Sequence, residues 1–347
     1  MYIAKQTFTE QNILTINFKT QREILFYYFV IILISLGVYL SRYSPDYENY
    51  IAPLNISFKQ FDIIKFEPTF WGIVYINQIL FGANRLTFYA IYEICTTILF
   101  ITAIKKYSCN YSLSLLIFIL LFFPNNVIIQ IRQGVAIGIF LHAIDDILKR
   151  RPLNYFLKIV IAVLFHYSSV FLFTLYLLKP NKINKIFYFL LPFIGFVASY
   201  TIISLEFLEN NTFFLPSFLS FKFTEYINAL KLYGETISIN RINLINMFSL
   251  TLIVVYYFIF FLLKIKSKIY IMFFKLLGVS IFCWFFFSKL PVVSFRITNY
   301  LNPVVIFLLP LICNKFKEKN IVSIFIVIYV VILFINIYIR HGSFGPT

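Results

Sequence analysis

The stretch Ile321–Ile339, IVSIFIVIYVVILFINIYI, contains no charged side chain. At 1.5 Å per residue it makes a helix of about 28 Å, close to the ~30 Å hydrocarbon thickness of a bilayer. Working back toward the N-terminus, the same pattern recurs in Ile297–Cys313, Ile269–Phe287, Leu244–Leu263, Ile186–Leu205, Tyr155–Leu178, Gly134–Leu148, Tyr111–Ile131, Leu86–Ile104, Phe70–Phe81 and Ile24–Leu40. Short polar joints separate these runs. With 61% hydrophobic and 13% charged residues and a mean hydropathy of +0.85, the chain cannot cover a water-facing surface with polar groups. Backbone in lipid must satisfy its own N–H and C=O groups, so the expected fold is all-α: a polytopic integral membrane helix bundle of 9–11 segments, two of them candidates for re-entrant hairpins.

No polar stretch among the 347 residues is long enough for a soluble domain, so residues 1–347 read as one membrane domain. Two joints, 41–69 and 206–243, are long enough to do more than connect helices, and both are expected outside the cytoplasm. The run after Glu23 ends in Ser41-Arg42-Tyr43 without a small-residue cleavage site, which reads as an uncleaved signal anchor with a cytoplasmic N-terminus.

The net charge of +16 comes from small basic clusters at the ends of apolar runs, the pattern of topology determinants rather than of a nucleic-acid surface. If every run spans, Lys and Arg divide evenly between the two sides. If Phe70–Phe81 and Tyr155–Leu178 instead enter and leave on one face, Lys105, Lys106, Lys149, Arg150 and Arg151 move to the cytoplasmic side and a positive-inside bias appears. The first of these is too short to span, and the second is broken by His166-Tyr167-Ser168-Ser169. Cys95, Cys109, Cys283 and Cys313 form no close pair, and His142, His166 and His341 form no metal-ligand array, so neither metal nor cofactor is expected and the cysteines read as inert core.

Charges beside membrane segments are costly and mark function unless an ordinary reading accounts for them. Asp46, with Tyr47 and Tyr50, follows the first helix, where a solvated loop would also explain it. Glu67 precedes Pro68 at the start of the short segment and suits a helix N-terminus. Arg132-Gln133 lies between two apolar runs with no acidic neighbour in sequence; it either snorkels or holds an anion by planar, bidentate contacts. His166 suits a helix–helix hydrogen bond or proton transfer. Arg296 and Tyr300 share a face at i, i+4. In the hairpin topology Asp46, Glu67, Arg132 and Arg296 all approach the extracytoplasmic side.

At these residues the chain resembles the EpsG family within the Wzy-type polysaccharide polymerases. The resemblance rests on Asp46-Tyr47-x-x-Tyr50, Glu67-Pro68-x-Phe70, Arg132-Gln133-x-x-Ala136, Phe165-His166-Tyr167-Ser168 and Arg296-x-x-x-Tyr300, in that order over most of the chain. It departs at Thr69, where the family commonly has Gly, and at Ser169, where it commonly has Ala. The resemblance implies a bacterial inner-membrane glycosyltransferase that polymerises undecaprenyl-diphosphate-linked repeat units into O-antigen, capsule or exopolysaccharide, with a chain-length regulator as a further partner. It implies Arg132 and Arg296 as stabilisers of the diphosphate leaving group, Asp46, Glu67 or His166 as the base, and Tyr47, Tyr50, Gln133 and Tyr300 as substrate contacts, although with 25 Tyr in the chain the three tyrosines read equally as part of the membrane's aromatic belt. The alternatives are a lipid-linked oligosaccharide flippase or transporter, and a membrane ligase or acyltransferase.

Overall fold

The computed structural model describes residues 24–63, 65–181, 183–201, 224, 228, 244–262 and 265–340. The expected loop 206–243 lies outside them, apart from two positions. Among the described residues the chain is predominantly helical, with no strand. Five helices have the length and apolarity to cross a membrane: α1 (Ile24–Tyr43), α4 (Arg85–Tyr107), α10 (Lys268–Phe286), α11 (Pro291–Cys313) and α12 (Lys319–Ile339). The protein is therefore a multi-pass membrane protein. Between these lie α2 (Tyr47–Ile51), α3 (Pro68–Phe81), α5 (Tyr111–Phe122), α6 (Ile131–Leu148), α7 (Pro152–Phe165), α8 (Lys185–Thr201) and α9 (Met247–Leu262).

Local chemistry sets the helix ends. Pro68, Pro152 and Pro291 open α3, α7 and α11 at a position whose N–H would be unpaired anyway. Asn84 caps α4 by accepting from the N–H groups of Leu86 (2.9 Å) and Thr87 (3.2 Å). Gly82, at φ 61°, closes α3 in the left-handed conformation that glycine reaches without strain.

The direction of each element follows from its contacts. Helices α4 and α6 run parallel: Thr96 lies beside Gly134, Leu99 beside Gly138, Thr102 Oγ1 is 3.0 Å from His142 Nε2, and Lys106 pairs with Asp145 at 3.1 Å. The return from α4 is made by α5 and the π-helical turns Phe118–Phe122 and Pro124–Ile129. Helix α6 starts against this return so closely that a Cβ on Gly134 would lie 1.7 Å from the Asn126 carbonyl oxygen.

Helix α7 runs back along α6, with Lys158 Nζ 2.6 Å from Asp146 Oδ2. At His166 the chain reverses into a 3₁₀ limb, Tyr167–Leu177. The Arg150 guanidinium then donates to the carbonyls of Tyr176 (3.1 Å) and Leu178 (3.0 Å), closing the hairpin at the end where it began. Its entry and exit share one face. Short α3 behaves likewise: Glu67 before its first turn meets the start of α6, and Asn77 in its last turns donates to Asn84 O (3.1 Å) and Thr87 Oγ1 (2.7 Å) at the start of α4.

The main core surrounds α6 and the buried faces of α4, α9, α10 and α11. A second, aromatic core of Tyr50, Phe66, Phe70, Trp71, Phe88, Tyr89 and Tyr92 lies where the loop 44–67 folds over α3 and α4. Cys283 and Cys313 are buried, whereas Cys95 and Cys109 are exposed rather than in the core.

Candidate functional site

The aromatic core is the floor of a charged cluster. The Arg132 guanidinium, in the first turn of α6, lies over the rings of Phe66 (5.0 Å), Tyr50 (5.4 Å) and Phe70 (5.4 Å), where ring quadrupoles favour a cation. It donates through Nη1 to Glu67 Oε2. Glu67 sits at the N-terminus of α3 but does not cap it. Its side chain, 1% exposed, turns instead toward Arg132, and its other oxygen meets His166 Nδ1 at 3.1 Å and the Tyr167 N–H at 3.2 Å. A carboxylate under three donors is an acceptor and an organiser. Because Glu67 accepts, His166 Nδ1 carries the proton and Nε2 is left with its lone pair.

Arg296 stands on the adjoining α11 at the same end of the bundle. Gln133 Nε2 donates to the Arg296 carbonyl (2.9 Å), and Asn299 Nδ2 donates to Gln130 Oε1 (3.0 Å), joining α11 to the start of α6. The Arg296 side chain is exposed and forms no ion pair among the described residues, whereas the Arg132 side chain is only 15% exposed. Arg132 and Arg296 thus stand at the same end of the bundle.

The other expected residues take different places. Asp46 is half-buried on the loop after α1, and its carboxylate makes no hydrogen bond or ion pair among the described residues. It reaches the cluster through its neighbours: Tyr47 stacks on Tyr89 with centroids 5.7 Å apart, and buried Tyr50 lies under Arg132. Burial pushes the Tyr50 phenol up from its ordinary value and the Arg132 charge pulls against it, leaving a neutral hydroxyl at physiological pH. Gln133 is buried in the α6–α11 contact. Tyr300 is fully buried, with its hydroxyl 2.7 Å from Ser169 Oγ, tying α11 to the hairpin just past its tip.

The sequence reading passed over Glu93, which lies within the apolar run Leu86–Ile104. It is fully buried, both carboxyl oxygens lack a hydrogen-bond partner among the described residues, and Gly37 of α1 packs against it. A lone acid inside an apolar run was the signal available. Among the described residues no three His, Cys, Asp or Glu side chains are grouped to hold a metal ion.

The EpsG family model matches residues 24–346. The chain belongs to the EpsG family. No curated protein and no solved structure matches it. Membership supports a polysaccharide-polymerase type of function in general. The two EpsG positions at which this chain departs from the expected pattern both make contacts between elements: Thr69 Oγ1 donates to Leu164 O (2.6 Å) at the end of α7, and Ser169 Oγ bonds the Tyr300 hydroxyl. Gly and Ala could make neither bond.

Proposed function

We propose that this EpsG protein polymerises undecaprenyl-diphosphate-linked repeat units into a surface polysaccharide by glycosyl transfer at the outer face of a bacterial inner membrane. The observation that carries the reading is the convergence of Glu67, Arg132, His166 and Arg296 at one end of the bundle. Lys105, Lys106, Lys149, Arg150 and Arg151 lie at the opposite end, which supports a cytoplasmic placement of that end and of the N-terminus.

In the proposed reaction a sugar hydroxyl of the incoming unit attacks the anomeric carbon of the growing glycan. The new C–O bond forms as the bond to undecaprenyl diphosphate breaks, and the diphosphate leaves with the electron pair. Glu67, already engaged by three donors, is a poor base; it orients His166 so that Nε2 takes the hydroxyl proton, the division of labour used by carboxylate–imidazole pairs in acyl transfer. Exposed Arg296 meets the developing phosphate charge, while Arg132, paired with Glu67, holds the carboxylate that orients His166. Asp46 and Tyr47 line the approach for sugars, Tyr50 supports Arg132 from below, and Gln133 and Tyr300 hold α11 in place. A chain-length regulator is a further proposed partner.

The test is glycan length in a deletion strain complemented with the wild type or with Arg296→Ala. Long glycan with the wild type and single repeat units with the variant are expected. Lipid-linked units trapped inside the cell in the deletion strain would support a flippase instead, and unattached long polymer would support a ligase.

A further inference from the structure

Joining two lipid-linked glycans brings two lipid diphosphates to the protein, and Arg296 beside the charged cluster accounts for the one that leaves. A second place with the chemistry of such a molecule lies beside it. Between α1 and α4 runs a furrow of about 560 Å³, lined by Ile31, Ile34, Val38, Leu86, Ala90 and Ile94, with Tyr39 and Thr87 toward one end. Its volume is that of an ordinary small-molecule site. Helix α1 starts at the basic end, where Phe26 meets Tyr111, and ends at the site end. From Ile31 to Tyr39 the furrow therefore follows about 12 Å of helix through the leaflet on the site's side.

At its upper end stands Arg42. The guanidinium lies 4.0 Å over the Tyr39 ring and 4.7 Å over the Tyr43 ring, and Nη2 donates to the hydroxyls of Tyr39 and of Tyr43 (2.7 Å for the latter). It is exposed and forms no ion pair among the described residues. Two aromatic rings thus hold in place a planar cation whose charge is not neutralised, which is how arginine is presented to phosphate oxygens. Val38 lines the furrow and also packs against the aromatic core under Arg132, so furrow and charged cluster share a wall.

We propose that this furrow is the second lipid-diphosphate site: an isoprenoid chain lies along α1 and α4, and its diphosphate sits at Arg42. The proposal rests on the polymerase reading above. An apolar track capped by an unneutralised guanidinium matches a tail and head of those two chemistries, and the shared wall sets the head of the second lipid near the atoms that react. The occupant is the acceptor unit, which keeps its diphosphate through the reaction.

The test uses the full-length protein in nanodiscs, with a photoreactive residue replacing Ile94 and undecaprenyl diphosphate as the probe. Cross-linking at position 94 is expected to resist a large excess of phosphatidylglycerol. In an Arg42→Ala background its concentration dependence should shift about tenfold or more, the loss of one charge-assisted phosphate contact, with Arg42→Lys in between. Ala90→Phe, which fills the furrow while leaving Arg42 in place, should abolish it. Equal competition by phosphatidylglycerol, or unchanged cross-linking in Arg42→Ala, would overturn the proposal and leave a lipid-filled crevice. Arg296→Ala should leave this cross-link intact, so normal polymer in that variant would sink the polymerase reading separately.

Discussion

Removing Arg132 should cost much stability and removing Arg296 almost none, with the same effect on activity. The Arg132 guanidinium neutralises Glu67, a carboxylate that is 1% exposed, so Arg132→Ala leaves a buried charge without its guanidinium partner, the remaining donors including the His166 imidazole and the Tyr167 N–H. Breaking one side of such a pair costs about 3–5 kcal/mol. At about 2 °C per kcal/mol, the apparent unfolding midpoint in detergent should fall by roughly 6–10 °C. Adding Glu67→Gln removes the stranded charge, and the double variant should recover about 2–3 kcal/mol relative to additivity, near the upper end of measured coupling energies. Arg296 has no ion partner among the described residues, so Arg296→Ala should move the midpoint by less than about 1 kcal/mol equivalent. Thermal scans of Arg132→Ala, Glu67→Gln, their double variant and Arg296→Ala by fluorescence-detected size exclusion, paired with glycan gels of the complemented strains, read both quantities. All four should lack long polymer. If Arg132→Ala melts with the wild type and the Glu67 and Arg132 effects simply add, the buried pair does not hold the cluster together and the argument fails.

Gly134→Ala puts a methyl group where the Asn126 carbonyl oxygen stands, at 1.7 Å, so the start of α6 must move; little folded protein should be recovered, whereas Gly72→Ala, with open space around its Cβ position, should accumulate normally. Wild-type recovery of both variants would show that α6 does not pack against Asn126. Single cysteines at positions 106 and 150 in an otherwise cysteine-free chain should resist an impermeant thiol reagent in intact cells and react after lysis, while one at exposed position 48 reacts in both. Labelling of positions 106 and 150 from outside would restore a topology in which every apolar run spans.

The hairpin was legible because it breaks a chemical rule: His166-Tyr167-Ser168-Ser169 interrupts an apolar run, and polar backbone is tolerated at that depth only where protein surrounds it. Short Phe70–Phe81 was legible by length alone. The pairing of Arg132 was not, since its partner Glu67 lies 65 positions away and only the folding of the 44–67 loop over α3 brings them together. Tyr300 posed a similar difficulty. Its i, i+4 relation to Arg296 suggested one exposed face, yet Arg296 faces out and Tyr300 packs into the hairpin, because position on a helix does not say which neighbour covers it. Glu93 went unnoticed because a single acid barely dents the hydropathy of its segment, and its contact with Gly37 joins two helices distant in sequence.

The hairpin also fixes the depth of the proposed chemistry. Its rising limb, Pro152–Phe165, has 14 residues and so reaches about 21 Å from the basic end, roughly 9 Å short of the far edge of a ~30 Å hydrocarbon layer. His166, and the carboxylate it touches, are then sunk beneath the level of the surrounding phospholipid heads. Either the leaflet dips around the protein or water fills a shallow well above the tip, at a cost of fractions of a kcal/mol per Å of mismatch. In both cases the prenyl-anchored sugar of the proposed reaction does not have to be lifted off its membrane to be joined; it is drawn down to meet its partner.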